Sequence, residues 1–333
     1  MPYLSETELL QRVILSIHES GWPAVAVRDR ITCPLHLRAS KGDTSVDLTV
    51  YLWEIEPHRS DVPSEQQYSV RTSAASPCEA GPGGERLILG WWERAGVFAG
   101  FDPRKYSSRD TAFPPSLRVA RSVLRAACAY GLATDVKGDG EVAVAFRSDL
   151  LMYYAKNARD LHNLGQSQHD HALFNALAAD PYGVSEEDIA SVTDQRRHLV
   201  LTAATMLRER SFRRRVLSAY EHRCAMCKGR AGHAEAVHIV PVGVRGGTDS
   251  TSNGIALCAT HRAAYEEASV AVDDDHRVLV SEARLRESAM QHRGGVDEFR
   301  DGLQYFIVLP ADPALRPAVE SLRRARELRK WMG

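Results

Sequence analysis

The chain has 333 residues, a net charge of −1, 44% hydrophobic residues and 26% charged residues. This length suggests two or three domains, and the composition excludes both a disordered chain and a uniformly basic nucleic-acid-binding protein. No apolar run reaches the roughly 18–20 residues of a membrane span, and the first residues do not form a signal peptide, so we expect a cytoplasmic protein with no membrane partner.

Residues 1–163 are predicted to form an α+β domain with a substantial antiparallel sheet. Ser5 is a good N-cap for a helix that runs to about Ser20. A second helix is predicted over Ser116–Tyr130. Alternating, β-branched stretches between turns rich in glycine, proline and serine predict strands. They are Val25–Val27, Leu35–Leu37, Val46–Ile55, Tyr68–Arg71, Arg86–Leu89, Gly96–Phe101 and Val142–Phe146.

Aromatic residues lie beside cations in the middle of this domain. The run from Leu87 to Tyr106 contains two adjacent tryptophans and three basic side chains. Flipped or single-stranded bases are bound by stacking on aromatic rings near cations. The candidates for base recognition are Trp53, Tyr68, Trp91 and Trp92. The alternative is that these rings belong to the sheet core. Because adjacent strand residues point to opposite faces, either Trp91 or Trp92 is expected to lie outside the core.

A helical linker is predicted over residues 164–210, where the composition becomes polar before a helix at Asp194–Arg210. Ser211 is a good cap for a separate short helix, Phe212–Tyr220. The last segment, residues 311–333, is predicted to contain an amphipathic helix at about Pro317–Trp331 that packs on the protein's own core.

Basic residues are concentrated between Arg208 and Arg230, where eight arginines and lysines face two glutamates. Phosphate binding needs such a local patch rather than a high total charge. The alternative is a solvated helix face. The patch directly precedes a pair of cysteines, and this position favours phosphate contacts by Arg213, Arg214 and Arg215.

The six cysteines include a Cys-x2-Cys pair and the first residue of a Cys-x2-His pair. In a cytosolic chain such pairs indicate a metal site rather than disulfides. Together they complete a tetrahedral set typical of structural Zn2+. The predicted ligands are Cys224, Cys227, Cys258 and His261. Cys33, Cys78 and Cys128 have no such partners and are expected to be small buried hydrophobic residues.

The order of motifs from about Phe212 to Val280 resembles the zinc-containing type of the HNH (ββα-metal) endonuclease family. A basic helix enters Cys-x2-Cys, and a strand then ends in His-Ile-Val-Pro. A Gly-Gly turn, Asn-Gly-Ile-Ala-Leu and Cys-x2-His at the start of a helix follow. The resemblance implies a nuclease domain over residues 211–310, in which a β-hairpin and a helix clamp one divalent cation, Mg2+ or a similar ion. By the same resemblance His238 is the general base, and Asn253 orients the loop that holds His238.

The chemistry agrees with these roles. Phosphodiester hydrolysis needs a base that works near neutral pH, which histidine supplies, and a cation that stabilises charge on the phosphate. Outside this context, a histidine after an apolar strand residue is more often structural. Asn253 beside Gly254 also fits a simple turn.

Arg262 departs from the family's pattern, because a histidine or aspartate that binds the catalytic cation commonly follows the zinc-bound residue. The common Phe-Asp pair a few residues later is Tyr265-Glu266. Three alternatives remain open: His261 leaves the zinc to bind the cation, Glu235 or Glu266 substitutes, or the site has weakened metal affinity. An arginine at this position can also bind the scissile phosphate directly.

The N-terminal domain is also similar to domains paired with HNH modules in bacterial modification-dependent restriction endonucleases. The similarity depends on the domain order and on Gly-Trp-Trp-Glu followed by Val-Phe-Ala-Gly-Phe-Asp-Pro-Arg-Lys. It implies a DNA endonuclease of restriction defence that recognises a DNA feature such as a modified base. The alternative is a non-catalytic DNA- or ligand-binding regulator on a degenerate HNH scaffold. A homodimer is a further expectation, since double-strand cleavage often pairs two sites.

Overall fold

The computed structural model describes residues 4–27, 33–57, 67–70, 84–106, 117–227, 233–290 and 295–331. The chain divides into two compact units, Met1–Thr205 and Met206–Gly333. This division differs from the predicted boundaries, because residues 164–205 fall in the first unit and residues 311–333 in the second. The mixed α+β class with an N-terminal sheet is confirmed.

The first unit is built on a nine-stranded sheet. Its strands are β1 (Ala24–Ala26), β2 (Leu35–Lys41), β3 (Thr44–Pro57), β4 (Gln67–Val70), β5 (Glu85–Trp92), β6 (Val97–Phe101), β7 (Leu117–Ala120), β8 (Leu132–Val136) and β9 (Val142–Arg147). The main path runs β1-β2-β3-β5-β6-β9-β8, and β4 pairs with both β3 and β7. The described pairs are antiparallel except for the parallel pair β3–β5.

The helix predicted over Ser116–Tyr130 begins later than the sequence pattern indicated. Residues 117–120 form β7, and α2 (Arg121–Tyr130) follows. Leu117 and Val119 are buried and pair with β4, opposite Val70 and Tyr68. Leu117 and Val119 are two apolar residues at i and i+2, directly before a helical stretch. A pattern this short does not distinguish a strand from the first turn of the helix. Pairing with a distant strand decided the outcome.

The other helices of the first unit are α1 (Glu6–Glu19), α3 (Leu151–His162), α4 (Gln168–Ala179) and α5 (Glu186–Ser191), and α6 (Asp194–Ala219) begins in it. Ser5 caps α1 through a capping box with Glu8, as the sequence predicts. The predicted linker is instead a packed part of this unit: Phe174 and Leu177 of α4 are buried. The buried carboxylate of Asp170 pairs with Arg196 at 2.7 Å, and this ion pair joins α4 to α6.

Helix α6 is continuous over 26 residues, although the sequence predicts two helices separated at Ser211. Ser211 lies inside the helix, where its hydroxyl accepts a hydrogen bond from Arg215. The buried stripe of Leu207, Phe212 and Val216 continues across this position. Burial of one unbroken apolar face therefore outweighs the local preference of serine for a cap. Among the described helices, none has the length and apolar character needed to cross a membrane.

The second unit contains two short hairpins and four helices among its described residues. Its elements are β10 (Ala234–His238), β11 (Gly254–Cys258), α7 (Ala259–Glu266), β12 (Val270–Val272), β13 (Val278–Val280), α8 (Glu282–Met290), α9 (Val296–Asp301) and α10 (Val319–Leu328). Strands β10 and β11 are antiparallel, and α7 follows β11 directly. This is the ββα arrangement that the resemblance implies.

The C-terminal helix α10 is part of the core of the second unit. Leu322 and Ala325 are buried among the residues that also surround β10 and β11. The predicted stripe is only partly buried, since Leu328 is exposed. Of the cysteines outside the two sequence motifs, Cys33 is half-buried and Cys78 lies outside the described residues. The expectation for Cys128 is wrong, because it is exposed on α2.

Candidate metal centre and catalytic loop

Three segments of the second unit bring the four predicted metal ligands together. Cys224 and Cys227 lie on the turn that follows α6, Cys258 ends β11, and His261 lies in the first turn of α7. Their ligand atoms all lie within 4.8 Å of one another. The His261 Nδ1 atom is 3.1 Å from Cys227 Sγ and 3.2 Å from Cys258 Sγ. The sequence spacing therefore identified a true spatial cluster.

The chemistry of the cluster fits a bound metal ion. In a tetrahedral zinc site, bonds of about 2.3 Å place neighbouring donor atoms about 3.7 Å apart, and the Sγ atoms of Cys227 and Cys258 lie 3.6 Å apart. Burial lowers the pKa of His261, which favours the neutral ring that a metal ligand requires. Burial also raises the pKa of the Cys227 thiol, a cost that a bound cation removes by stabilising the thiolate.

Backbone hydrogen bonds hold the cysteine turn in place. The Ala225 amide donates to Ala256 O of β11 at 2.8 Å. The segment after α9 adds two more bonds, from Gln304 N to Met226 O and from Val308 N to Ala225 O. A metal bound by these four residues would therefore link the turn after α6, the β10–β11 hairpin and α7.

His238 is the last residue of β10 and lies beside the loop of residues 239–253 that connects β10 to β11. Its ring stacks on Phe212 of α6, with 3.7 Å between ring centroids and 6° between ring planes. The Nε2 atom lies 3.0 Å from Asp249 Oδ1. The opposite residue, Gly254, carries no side chain, and a Cβ there would collide with Val216 and Phe212. Glycine therefore lets α6 approach the hairpin closely enough for Phe212 to reach His238.

Asn253 holds the two ends of this loop together. Its Nδ2 group donates to Val240 O and to Thr248 O, both at 2.8 Å. Its Oδ1 atom accepts from Val240 N at 3.0 Å, and its backbone carbonyl accepts from Ile239 N. The side chain is 1% exposed, so its hydrogen bonds form away from water. These contacts fix the backbone that directly follows His238.

Two arginines support the same loop from outside. Arg215 of α6 donates to Asp249 O at 2.6 Å, and Arg329, just after α10, donates to Ile239 O at 3.0 Å. Arg215 is half-buried and contacts the protein rather than extending into solvent, in contrast to the phosphate contact predicted for it. Arg213 and Arg214 are exposed on α6. The contribution of Arg215 and Arg329 to the loop was not apparent from the sequence.

Arg262 of α7 lies between two carboxylates. Its guanidinium donates to Glu235 of β10 and, at 3.0 Å, to Glu266 of α7. These are the two carboxylates that could have replaced the missing cation ligand, and each is already paired with a positive charge. In the described part of the chain, the group of three cysteines and His261 is the only cluster of three or more side chains that could hold a metal ion. The residues around Arg262 therefore do not fit a preformed site for a catalytic cation.

The four aromatic candidates of the first unit separate into two groups. Trp91 is 5% exposed, packs on Phe98 and donates to Glu93, so it belongs to the core. Trp53 and Trp92 are half-buried on one face of the sheet, where Trp53 pairs with Gly90 in register. Tyr68 is buried, with its ring centroid 5.2 Å from that of Trp92. The prediction that one of the adjacent tryptophans lies outside the core agrees with the half-buried position of Trp92.

Comparisons with known proteins agree with the domain order. Residues 224–273 match the model of the HNH endonuclease family, and residues 46–155 match the model of the Methylase-associated X1 family. A solved structure, "Modification dependent TagI restriction endonuclease", is 10% identical with a TM-score of 0.29. It is matched over 84% of this chain and 80% of that one. No curated protein sequence matches the chain. The chain thus has a C-terminal HNH endonuclease domain, and the predicted resemblance is confirmed.

Proposed function

We propose that this chain, through its HNH endonuclease domain, hydrolyses phosphodiester bonds of DNA in restriction defence. The observation that carries the proposal is the fixed orientation of His238. Its ring is stacked on Phe212, and the Asn253-bound loop adjoins it. A histidine held at the edge of a ββα unit, partly open to solvent, suits the general base of such a reaction. His238 would accept the proton of the attacking water, and Asn253 would keep the loop in place.

We propose Zn2+ as the metal of the cysteine and histidine cluster, because three sulfurs and one imidazole form a closed tetrahedral set typical of structural zinc. All four positions are filled by protein, so a metal there has no open position for water or substrate. Its contribution would be to hold the fold of the nuclease unit.

The predicted catalytic cation, Mg2+ or a similar ion, has no prepared site around Arg262, and no step of the proposed reaction depends on it. Arg262 itself is positively charged, and 44% of its side chain is exposed. Its remaining N–H groups can donate to a phosphate oxygen while Glu235 and Glu266 hold the guanidinium in place. We therefore propose Arg262 as a phosphate-contacting residue, together with Arg213 and Arg214.

The first unit is proposed to recognise DNA before cleavage. The model matched over residues 46–155 is described as methylase-associated, which supports a link to DNA modification. Trp53 and Trp92 are half-buried on one face of the sheet and are the proposed stacking surface, whereas Trp91 and Tyr68 are removed from this set because they are buried. We place the enzyme in the cytoplasm with DNA, and we propose that two copies pair to cut both strands.

The proposal is tested by incubating modified and unmodified plasmid DNA with the full chain in Mg2+, Mn2+, Ni2+ or a chelator. We expect cleavage that differs between the two plasmids. Arg262→His is expected to lose at least about tenfold in rate, because it removes a bidentate phosphate donor. The exposed Arg286 of α8 provides the matched control, Arg286→His, with an unchanged rate.

The same assay separates the nuclease from the rival regulator. A gain of cleavage in Arg262→His would mean that the native site is a degenerate scaffold. Failure of the wild type to cut any plasmid, with metal and DNA both retained, would also favour the non-catalytic regulator.

DNA affinity is expected to fall steeply with salt and to depend on Arg213 and Arg214. Each phosphate contact removed should reduce the slope of log K against log salt by about 0.9. Arg213→Ala/Arg214→Ala should therefore lower the slope by about 1.8, measured by fluorescence anisotropy across a KCl series. Arg286→Ala should leave the slope unchanged. An unaltered slope in the double variant would remove both residues from the proposed DNA interface.

A further inference from the structure

One side-chain contact of His238 does not follow from the sequence motifs. The Nε2 atom lies 3.0 Å from Oδ1 of Asp249, a residue of the loop between β10 and β11. A carboxylate is only an acceptor, so Nε2 carries the hydrogen of this bond. The proton of a neutral ring then lies on Nε2, and Nδ1 has a lone pair. Within the described residues, Nδ1 makes no hydrogen bond, and the side chain is 27% exposed.

Two hydrogen bonds from neighbouring side chains hold the backbone carbonyls of Asp249 and of the residue before it. Arg215 donates to Asp249 O at 2.6 Å, and Asn253 donates to the preceding carbonyl, Thr248 O, at 2.8 Å. The Asp249 side chain is 19% exposed and that of His238 is 27% exposed. Water therefore reaches this pair only in part, and the hydrogen bond is screened less than one on an open surface.

Two contacts together determine the orientation of the His238 ring. Stacking on Phe212, at 3.7 Å between ring centroids, fixes the plane of the ring. The bond to Asp249 fixes which nitrogen points into the protein. A general base must keep its lone pair aimed at the water from which it takes a proton, so loss of this orientation costs rate even when the base itself is intact.

We infer that Asp249 is a positioning residue for His238, which holds the Nε2–H form of the ring and aims Nδ1 at the attacking water. The inference rests on the proposed function. Asp249 also offers a negative charge beside the ring when the ring becomes an imidazolium, as the acidic member of a catalytic triad does. The carboxylate of Asp249, which is hydrogen-bonded to the ring, would thereby stabilise the positive charge that develops on His238 during the reaction.

The oxygen of water forms a new bond to phosphorus while its proton passes to Nδ1 of His238. The bond from phosphorus to the leaving sugar oxygen breaks, and that oxygen takes a proton from solvent. His238 then returns its extra proton to solvent.

The test compares Asp249→Asn and Asp249→Ala with Asp275→Asn, an exposed aspartate of the turn between β12 and β13. The full chain is labelled with 15N-histidine, and the His238 signals are assigned by their loss in His238→Ala. In the wild type we expect the Nε2–H form. In Asp249→Ala the two tautomers should mix. In Asp249→Asn the side-chain amide can donate to Nε2, which favours the Nδ1–H form.

The second readout is the kinetics of plasmid cleavage, measured as kcat and KM. Both Asp249 variants should lose about 10²- to 10⁴-fold in kcat, while KM changes by less than about twofold. Asp275→Asn should match the wild type. Bound metal, measured on each variant, shows that the nuclease unit is intact.

The inference is overturned if Asp249→Ala keeps the Nε2–H form, or if its kcat equals that of the wild type. Should the wild type cut no DNA, the proposed function fails, and the tautomer of His238 in the Asp249 variants still decides whether Asp249 positions the ring. A rise in KM with unchanged kcat would also overturn it, because Asp249 would then act on DNA binding rather than on the base.

Discussion

Replacement of His238 by alanine is expected to abolish DNA cleavage, with a loss of about 10²- to 10⁴-fold in kcat, the range contributed by a general base. The ring is the only group proposed to take the proton of water, and Phe212 and Asp249 hold it in one orientation. Removal of the His238 ring leaves the Asn253 hydrogen bonds and the four proposed metal ligands unchanged. The measurement is the rate of plasmid nicking at saturating DNA.

A matched control is His233→Ala, which removes an exposed histidine just before β10. Its rate should equal that of the wild type. A His238→Ala enzyme that keeps more than a tenth of the wild-type rate would contradict the assignment of the base. Equal bound metal and equal DNA affinity in the two variants would show that the lost rate reflects chemistry rather than unfolding.

Loss of one metal ligand should have the largest effect on stability. The apparent binding free energy of structural zinc is about 10–16 kcal/mol, as large as the whole stability of a typical domain, about 5–15 kcal/mol. Cys224 is part of the core of the second unit, and Cys258 joins β11 to α7. Cys258→Ser should therefore reduce bound zinc from one per chain to near zero. The unfolding transition of the second unit should disappear in calorimetry.

Two controls distinguish the effect of losing the metal from the effect of losing a thiol. Cys128→Ser alters an exposed cysteine of the first unit and should leave zinc content and both transitions unchanged. His261→Cys keeps four donors, all of them now thiolates, and it should retain zinc. Full zinc content and an intact transition in Cys258→Ser would show that Cys258 is not a ligand.

Local spacing was enough to predict the cluster of three cysteines and His261, because Cys-x2-Cys on a turn and Cys-x2-His at a helix start each place two possible metal donors on one side. The order of these pairs around His238 and Asn253 was enough to recognise the HNH domain, which the family model matches over residues 224–273. The roles proposed for His238 and Asn253 remain predictions, for which the Asn253 hydrogen bonds are supporting geometry.

Other features depended on contacts between residues far apart in the chain. Residues 117–120 became a strand because β4 was available to pair with them. The polar stretch after Asn163 became part of the first unit because Phe174 and Leu177 are buried and Asp170 pairs with Arg196. Composition describes how polar a segment is on average. Whether the segment packs depends on whether a few of its apolar side chains are buried against other elements.

The sequence by itself determined the α+β class, the positions of most strands, the cluster of three cysteines and His261, and the HNH character of the second unit, because each depends on periodicity or short spacing. The tertiary structure alone decided the surroundings of the reacting groups. It placed Asp249 against His238, turned Arg215 toward the loop and paired Arg262 with Glu235 and Glu266. Side-chain direction in a loop and charge pairing between a strand and a helix are fixed only when the whole unit packs. The sequence therefore predicted His238 as the base, and the fold places Asp249 within hydrogen-bond distance of it.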